Sequence, residues 1–241
     1  MNQRIERVRA AMQAQGLTQM IVSDPKSVWY LTGVEVEPYE RLLALYLPVC
    51  GEPVLFLNRL FHLPEVPCRA IWHTDTDAPV AQIAAVVDPN APLGIDKEWP
   101  ARFLIPLMEA HPGMRVVLSS DCVDDCRACK DETEQTLMRE ASRINDEVNA
   151  AVKQYVRVGM TEKQVARFVD EQYLAHGCEG NSFTTIVSFG ANAADPHHEP
   201  DDTVLQPGQC VLVDMGCRKN RYCSDMTRTW FAGTPTEKQA A

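Results

Sequence analysis

QCVLVDMGCRKNRYCSDMTRTWF, residues 209–231, contains two apolar runs separated by a polar turn, and each run carries one aspartate. Cys210, Val211, Leu212 and Val213 form an unbroken apolar stretch with two valines, expected to be a strand buried on both faces, and residues 222–231 are expected to form a second strand. Gly216, Lys219 and Asn220 supply the turn, because positive φ is available to glycine and tolerable for asparagine. The expected product is an antiparallel hairpin. A turn centred on Lys219 and Asn220 places Asp214 directly opposite Asp225, where Cβ atoms lie only about 4.5–5.5 Å apart. That is close enough for two carboxylates to reach a pair of ions about 3.5–4 Å apart. Facing carboxylates repel, and burial raises the cost of keeping both charged, so the pair implies a cation or a shared proton. The plainer alternative is that both aspartates cap strand ends, and a bulge would move one of them to the other face.

Composition narrows the rest. The chain has 241 residues, of which 45% are hydrophobic, enough for one large or two smaller cores. Its net charge of −10 and isoelectric point near 5.1 argue against nucleic acid or an anionic membrane as partner, since both select basic surfaces. Nine cysteines is an odd number, and the first residues, MNQRIERVRAAMQ, are amphipathic, without the apolar core of a secretory signal. Reduced thiols in a cytoplasmic protein are the expectation. No apolar run approaches the length of a membrane span.

Strand and helix patterns alternate through residues 1–129: strands near 17–23, 42–47, 54–57, 93–95 and 115–118, a helical turn from Pro25 closed by Gly33, and helices near 80–87 and 100–110. This is an α/β domain. A boundary falls near Cys129. Asp131 with Glu134, and then Thr161 with Gln164, form capping-box starts for two amphipathic helices. Strands near 182–189, 210–213 and 222–231 follow, so residues 130–241 are expected to form an α+β domain.

With these motifs in hand, VDMG followed by SDMTRT resembles the metallopeptidase family of Xaa-Pro aminopeptidase, prolidase and creatinase, with its pita-bread fold. The upstream segments SFTTIVSFGANAADPHH and SDPKSVWYLTG resemble the same family, and the likeness covers nearly the whole chain. It implies a creatinase/prolidase-like N-terminal domain, residues 1–129, followed by the first part of a pita-bread catalytic domain, residues 130–241. It further implies two divalent metal ions (Mn, Co or Zn), a peptide substrate with proline at the second position, and a homodimer. Asp214 would chelate one ion and Asp225 would bridge both. His197, seventeen residues before Asp214, occupies the place of a histidine that contacts substrate, with His198 the lesser candidate. Thr227 shares the strand face of Asp225 and is placed to hydrogen-bond a ligand oxygen; Arg228 faces away.

Other readings stand beside this one. The loop DPHHEPDD is of a composition that is usually just solvated, and Glu199, Asp201 and Asp202 could gather a single hard cation. Cys122, Cys126 and Cys129 have the spacing of an iron–sulfur motif but run into a helix, so ordinary thiols are expected. After Asp225 the sequence holds no histidine and one glutamate, Glu237, whereas the family takes a histidine and two glutamates from later in the chain. The closing TPTEKQAA looks like the start of the next helix. The expectation is therefore an incomplete, inactive portion of a family enzyme, which binds the ions weakly or not at all. The alternatives are a non-catalytic binding or dimerisation module and a creatinase-like hydrolase of a non-peptide substrate.

Overall fold

The computed structural model describes residues 3–63 and 65–235. The chain divides into two compact units, Met1–Cys129 and Lys130–Ala241.

In the first unit, short runs of β-branched and leucine residues make a mixed six-stranded sheet: β1 (Gln19–Val22), β2 (Ala44–Pro48), β3 (Val54–Asn58), β4 (Arg69–His73), β5 (Leu93–Ile95) and β6 (Val116–Leu118), in the order β4-β3-β2-β1-β5-β6. β1, β5 and β6 run parallel, as do β3 and β4, while β2 is antiparallel to both neighbours. Helices α1 (Gln3–Ala14), α2 (Pro25–Thr32) and α5 (Asp121–Ala128) contribute Met12, Leu31 and Val123 to the core that also holds Met20, Leu45 and Leu57. Helices α3 (Pro79–Ala84) and α4 (Ala101–Ala110) supply Ile83 and Leu107 to a second core with Ile21 and Phe56. Each such buried side chain stabilises the fold by about 1.5–3 kcal/mol. Gly33 ends α2 in the left-handed region, φ 77°, as its position after the apolar run predicts. Strand β4 was not legible as such, because it carries a polar residue at each end, Arg69 and His73, whereas α5 is the helix that the cysteine run enters.

The second unit begins with α6 (Glu132–Tyr155) and α7 (Glu162–Ala175), each opened by the expected reciprocal capping box, Asp131 with Glu134 and Thr161 with Gln164. Ala141, Ile144, Val148 and Val152 form the buried stripe of α6, at the three-and-four spacing of one helix face. Among the described residues six strands follow: β7 (Gly180–Asn181), β8 (Ile186–Phe189), β9 (Cys210–Met215), β10 (Cys217–Lys219), β11 (Tyr222–Cys223) and β12 (Met226–Phe231). They form two three-stranded sheets, β11-β10-β7 and β12-β9-β8.

Strand β9 is central to its sheet but not buried on both faces, contrary to its apolar sequence. Val211, Val213 and Met215 enter the core with Val187, Phe189 and the stripes of α6 and α7. Cys210, Leu212 and Asp214 lie on the other face and are half-buried, as is Ile186, while Thr227 and Thr229 are exposed. The physical reason is coverage. The two helices pack against one side only, so apolar character at 210 and 212 does not translate into burial.

Candidate active site

One register runs through the whole hairpin. Lys219 pairs with Tyr222 and Arg218 with Cys223, and beyond them Met215 pairs with Met226 and Asp214 with Thr227. The turn centres on Asn220 and Arg221, with φ of 48° and 69°, and not on Lys219 and Asn220. Positive φ at both central residues gives the twist that a two-residue hairpin requires. Arg221 is held there in part by its backbone N–H, which donates to Glu179 at 3.2 Å. Moving the turn by one residue moves every cross-strand partner by two. Asp214 therefore faces Thr227, and Asp225 is its diagonal neighbour, which in regular pleating means a separation of roughly 7–8 Å on the same face.

Gly216 has a role other than the expected one. It does not adopt positive φ. A Cβ at this position would lie 2.0 Å from the Ser224 carbonyl oxygen and 2.3 Å from Ser182 Oγ. The ladder is locally broken there. Ser224 N–H donates to Cys217 O at 2.9 Å, but Cys217 N–H donates to the Ser224 hydroxyl at 3.0 Å. The Ser224 carbonyl turns aside to accept from Ser182 Oγ at 2.8 Å. This distortion sits one residue before Asp225, which is exposed at the entry to β12.

Asp214 is half-buried, and its Oδ1 accepts from Thr227 Oγ1 at 2.8 Å. Thr227 thus holds one carboxylate oxygen, as its strand position predicts, and leaves Oδ2 without a protein donor among the described residues. Arg228 Nη1 turns back to the Thr227 carbonyl at 2.9 Å. The donor chemistry, hard carboxylate oxygens, fits a hard divalent cation, but two carboxylates supply only part of a shell of about six oxygens. Glu237 and the rest of the closing TPTEKQAA after Pro235 lie outside the described residues.

The histidine loop follows β8 through a 3-10 helix, Gly190–Ala194, that packs on β8 and β9. His197 is exposed, with its backbone N–H donating to Asp195 Oδ1 at 2.9 Å. His198 turns inward and donates from Nε2 to Glu162 at 2.7 Å. Glu199, Asp201 and Asp202 do not converge on a common point. Asp202 pairs with Lys163 at 2.9 Å, and the Asp201 carboxyl is held below its usual range by the Thr203 hydroxyl and then by the Thr203 N–H, which donates to it at 2.7 Å. Among the described residues, the three metal-capable side chains whose ligand atoms lie within 4.8 Å of one another are Glu162, His198 and Asp201. Glu162 was missed by sequence reasoning. A glutamate in the first turn of a helix reads as a favourable partner of the helix dipole, and nothing local distinguishes one that is fully buried.

The cysteine motif dissolves. Cys122 and Cys126 are buried on α5 and Cys129 is exposed. Burial pushes the Cys122 thiol up to about 11 and raises that of Cys126, the opposite of a thiolate ready for a metal. A cleft of about 600 Å³ in the first unit is lined by charged groups such as Asp24, Lys97, Asp124 and Arg127. These are paired with each other, Asp24 with Arg127 at 3.3 Å and Lys97 with Asp124 at 2.6 Å.

Comparison with known proteins supplies what this geometry leaves open. The profile of the Creatinase/Prolidase N-terminal domain matches residues 4–129, and that of Metallopeptidase family M24 matches residues 136–241. The chain belongs to the creatinase/prolidase metallopeptidases. It is 34% identical to the probable dipeptidase PepE of Mycobacterium tuberculosis over 96% of its own length and 64% of that relative's. The crystal structure of dipeptidase PepE from Mycobacterium ulcerans superposes with a TM-score of 0.89 at 32% identity, covering 98% of this chain and 66% of the other. Recombinant prolidase from Thermococcus sibiricus gives a TM-score of 0.89 at 26% identity, covering 98% and 67%. This metallopeptidase chain thus has a creatinase/prolidase N-terminal domain followed by pita-bread sequence, and it spans about 64% of the length of the PepE relatives it matches. Among the described residues no helix is long and apolar enough to cross a membrane.

Proposed function

We propose that this chain carries the first metal ligands and the substrate-contacting histidine of an Xaa-Pro dipeptidase-like exopeptidase. The observation that carries the reading is the juxtaposition on β9 and β12: Asp214 on the uncovered sheet face, one oxygen held by Thr227, with Asp225 on its diagonal. Relatives named dipeptidase and prolidase support the substrate class.

Asp214 and Asp225 would hold the divalent ions, with Mn, Co or Zn as candidates. Bound there, such ions lower the pKa of a water and polarise the scissile carbonyl. Thr227 fixes the Asp214 carboxylate so that its free oxygen has one direction to present. His197 stands on a loop anchored next to the same sheet, and its imidazole N–H can donate to the substrate carbonyl as negative charge develops on the oxygen. A homodimer belongs to the same proposal, and sedimentation equilibrium tests it.

Calorimetric titration of the 241-residue chain with manganese tests the site. Two carboxylates suggest a dissociation constant on the order of 10⁻⁴–10⁻³ M. Asp214→Asn is expected to abolish the heat of binding, and Asp225→Asn to do the same. Manganese affinity left unchanged in both variants would remove the reading.

A further inference from the structure

The histidine loop is irregular, yet both of its ends meet at one buried carboxylate. Glu162 is fully buried at the start of α7. Its Oε1 accepts from Phe189 N–H at 2.7 Å and from Asn192 Nδ2 at 3.0 Å, where the loop leaves β8. Its Oε2 accepts from His198 Nε2 at 2.7 Å and from Asp201 N–H at 3.1 Å, where the loop returns. Asn192 also reaches Thr203 Oγ1 at 3.2 Å, closing the ring. An ionised carboxylate without such donors would be costly to bury. Four N–H donors convert that cost into a strong geometric constraint, because bonds to a charged acceptor are shorter and stronger than neutral ones.

We infer that Glu162 and His198 are positioning residues for His197: the buried carboxylate clamps residues 189 and 201, and His198, drawn inward, forces its neighbour outward on a fixed backbone. The importance of His197 rests on the function proposed above, whereas the clamp itself does not. The arrangement also explains why two consecutive histidines have unlike surroundings, one exposed and one part-buried on Glu162. The same trio satisfies the spacing of a metal site, but both oxygens of Glu162 already accept two N–H donors each. A cation would have to displace them.

The test is nuclear magnetic resonance on the labelled 241-residue chain and its Glu162→Gln, His198→Ala and His198→Gln variants. Glu162→Gln and His198→Ala are expected to accelerate amide exchange at Phe189 and Asp201 by about 10- to 100-fold, the loss of one bond to a charged acceptor. They are also expected to shift or broaden the His197 ring signal. Exchange at Val211 and Val213 should not change. His198→Gln, whose amide can donate to Glu162, should restore both readouts. If Glu162→Gln does not fold, the two His198 variants decide the matter between them. An unmoved His197 signal in the variants would overturn the inference, and so would acceleration spread equally over Val211 and Val213. Zinc shifting His198 in the parent chain but not in Glu162→Gln would also overturn it, by making the trio a metal site. None of these readouts involves Asp214 or Asp225, so failure of manganese binding there leaves the clamp separately judged.

Discussion

Gly216→Ala is expected to be among the most damaging single-methyl additions in this chain. The added Cβ would sit 2.0 Å from the Ser224 carbonyl oxygen, and ordinary van der Waals contact begins at 3.4 Å, so backbone must move by the difference, about 1.4 Å. The clashing atom is main chain and cannot swing away as a side-chain tip would. Moving it also breaks the Ser182–Ser224 bond and strains the Cys217–Ser224 bond. Overpacking of this kind costs about 1–3 kcal/mol, and with two hydrogen bonds at stake the expected loss is about 2–6 kcal/mol. Asp225 is covalently next to Ser224, so its position relative to Asp214 changes with it. Urea denaturation followed by circular dichroism measures the stability loss, and manganese titration measures the consequence at the site. A variant within about 0.5 kcal/mol of the parent would match an ordinary surface substitution. It would refute the close approach of Ser224 to Gly216.

Three further outcomes follow from buried or capping groups. Tyr173 is fully buried and its hydroxyl donates to Asn145 Oδ1, while Asn145 Nδ2 donates to Met215 O at 3.1 Å, tying α6 and α7 to β9 beside Asp214. Tyr173→Phe leaves that amide oxygen buried without its donor, an expected loss of about 1–3 kcal/mol, and calorimetry should show the second unit melting earlier by about 4–8 °C per kcal/mol. His73 is buried, its Nδ1 lacks a protein partner among the described residues, and burial lowers its pKa from the ordinary 6.5. The folded chain then takes up that proton less readily than the unfolded one, so the contribution is intact above about pH 6.5 and is lost as pH falls below it. Urea midpoints at pH 7.5 and 5.5 should therefore differ less in His73→Leu than in the parent. Asp131→Ala removes the acceptor of the Glu134 N–H while leaving the backbone N–H of residue 131 to donate to the Glu134 carboxylate, and should cost about 1 kcal/mol, read from the same urea curves.

How much was legible in the sequence follows the range of the forces involved. Capping boxes, the glycine after α2 and the apolar stripe of α6 depend on residues three or four apart, and the chain writes these out in full. The hairpin was legible as a hairpin, and its parity survived: a turn displaced by one residue still leaves Asp214 and Asp225 on diagonal, same-face register positions. Its register was not legible, because Lys219, Asn220 and Arg221 offer nearly equivalent turn centres until Glu179 receives the Arg221 N–H. The burial of Glu162 was invisible for a similar reason. Its four donors come from residues 27 to 39 positions away.

By itself, the amino-acid order determined the division into an α/β and an α+β region, the helix starts, and the candidate acids and imidazole, because each rests on local periodicity, capping or a short motif. Tertiary structure alone decided which oxygen of Asp214 is held, why residue 216 must lack a side chain, and which of two adjacent histidines faces inward. Those outcomes depend on groups brought together from distant parts of the chain, where a displacement of about one ångström separates a hydrogen bond from a clash.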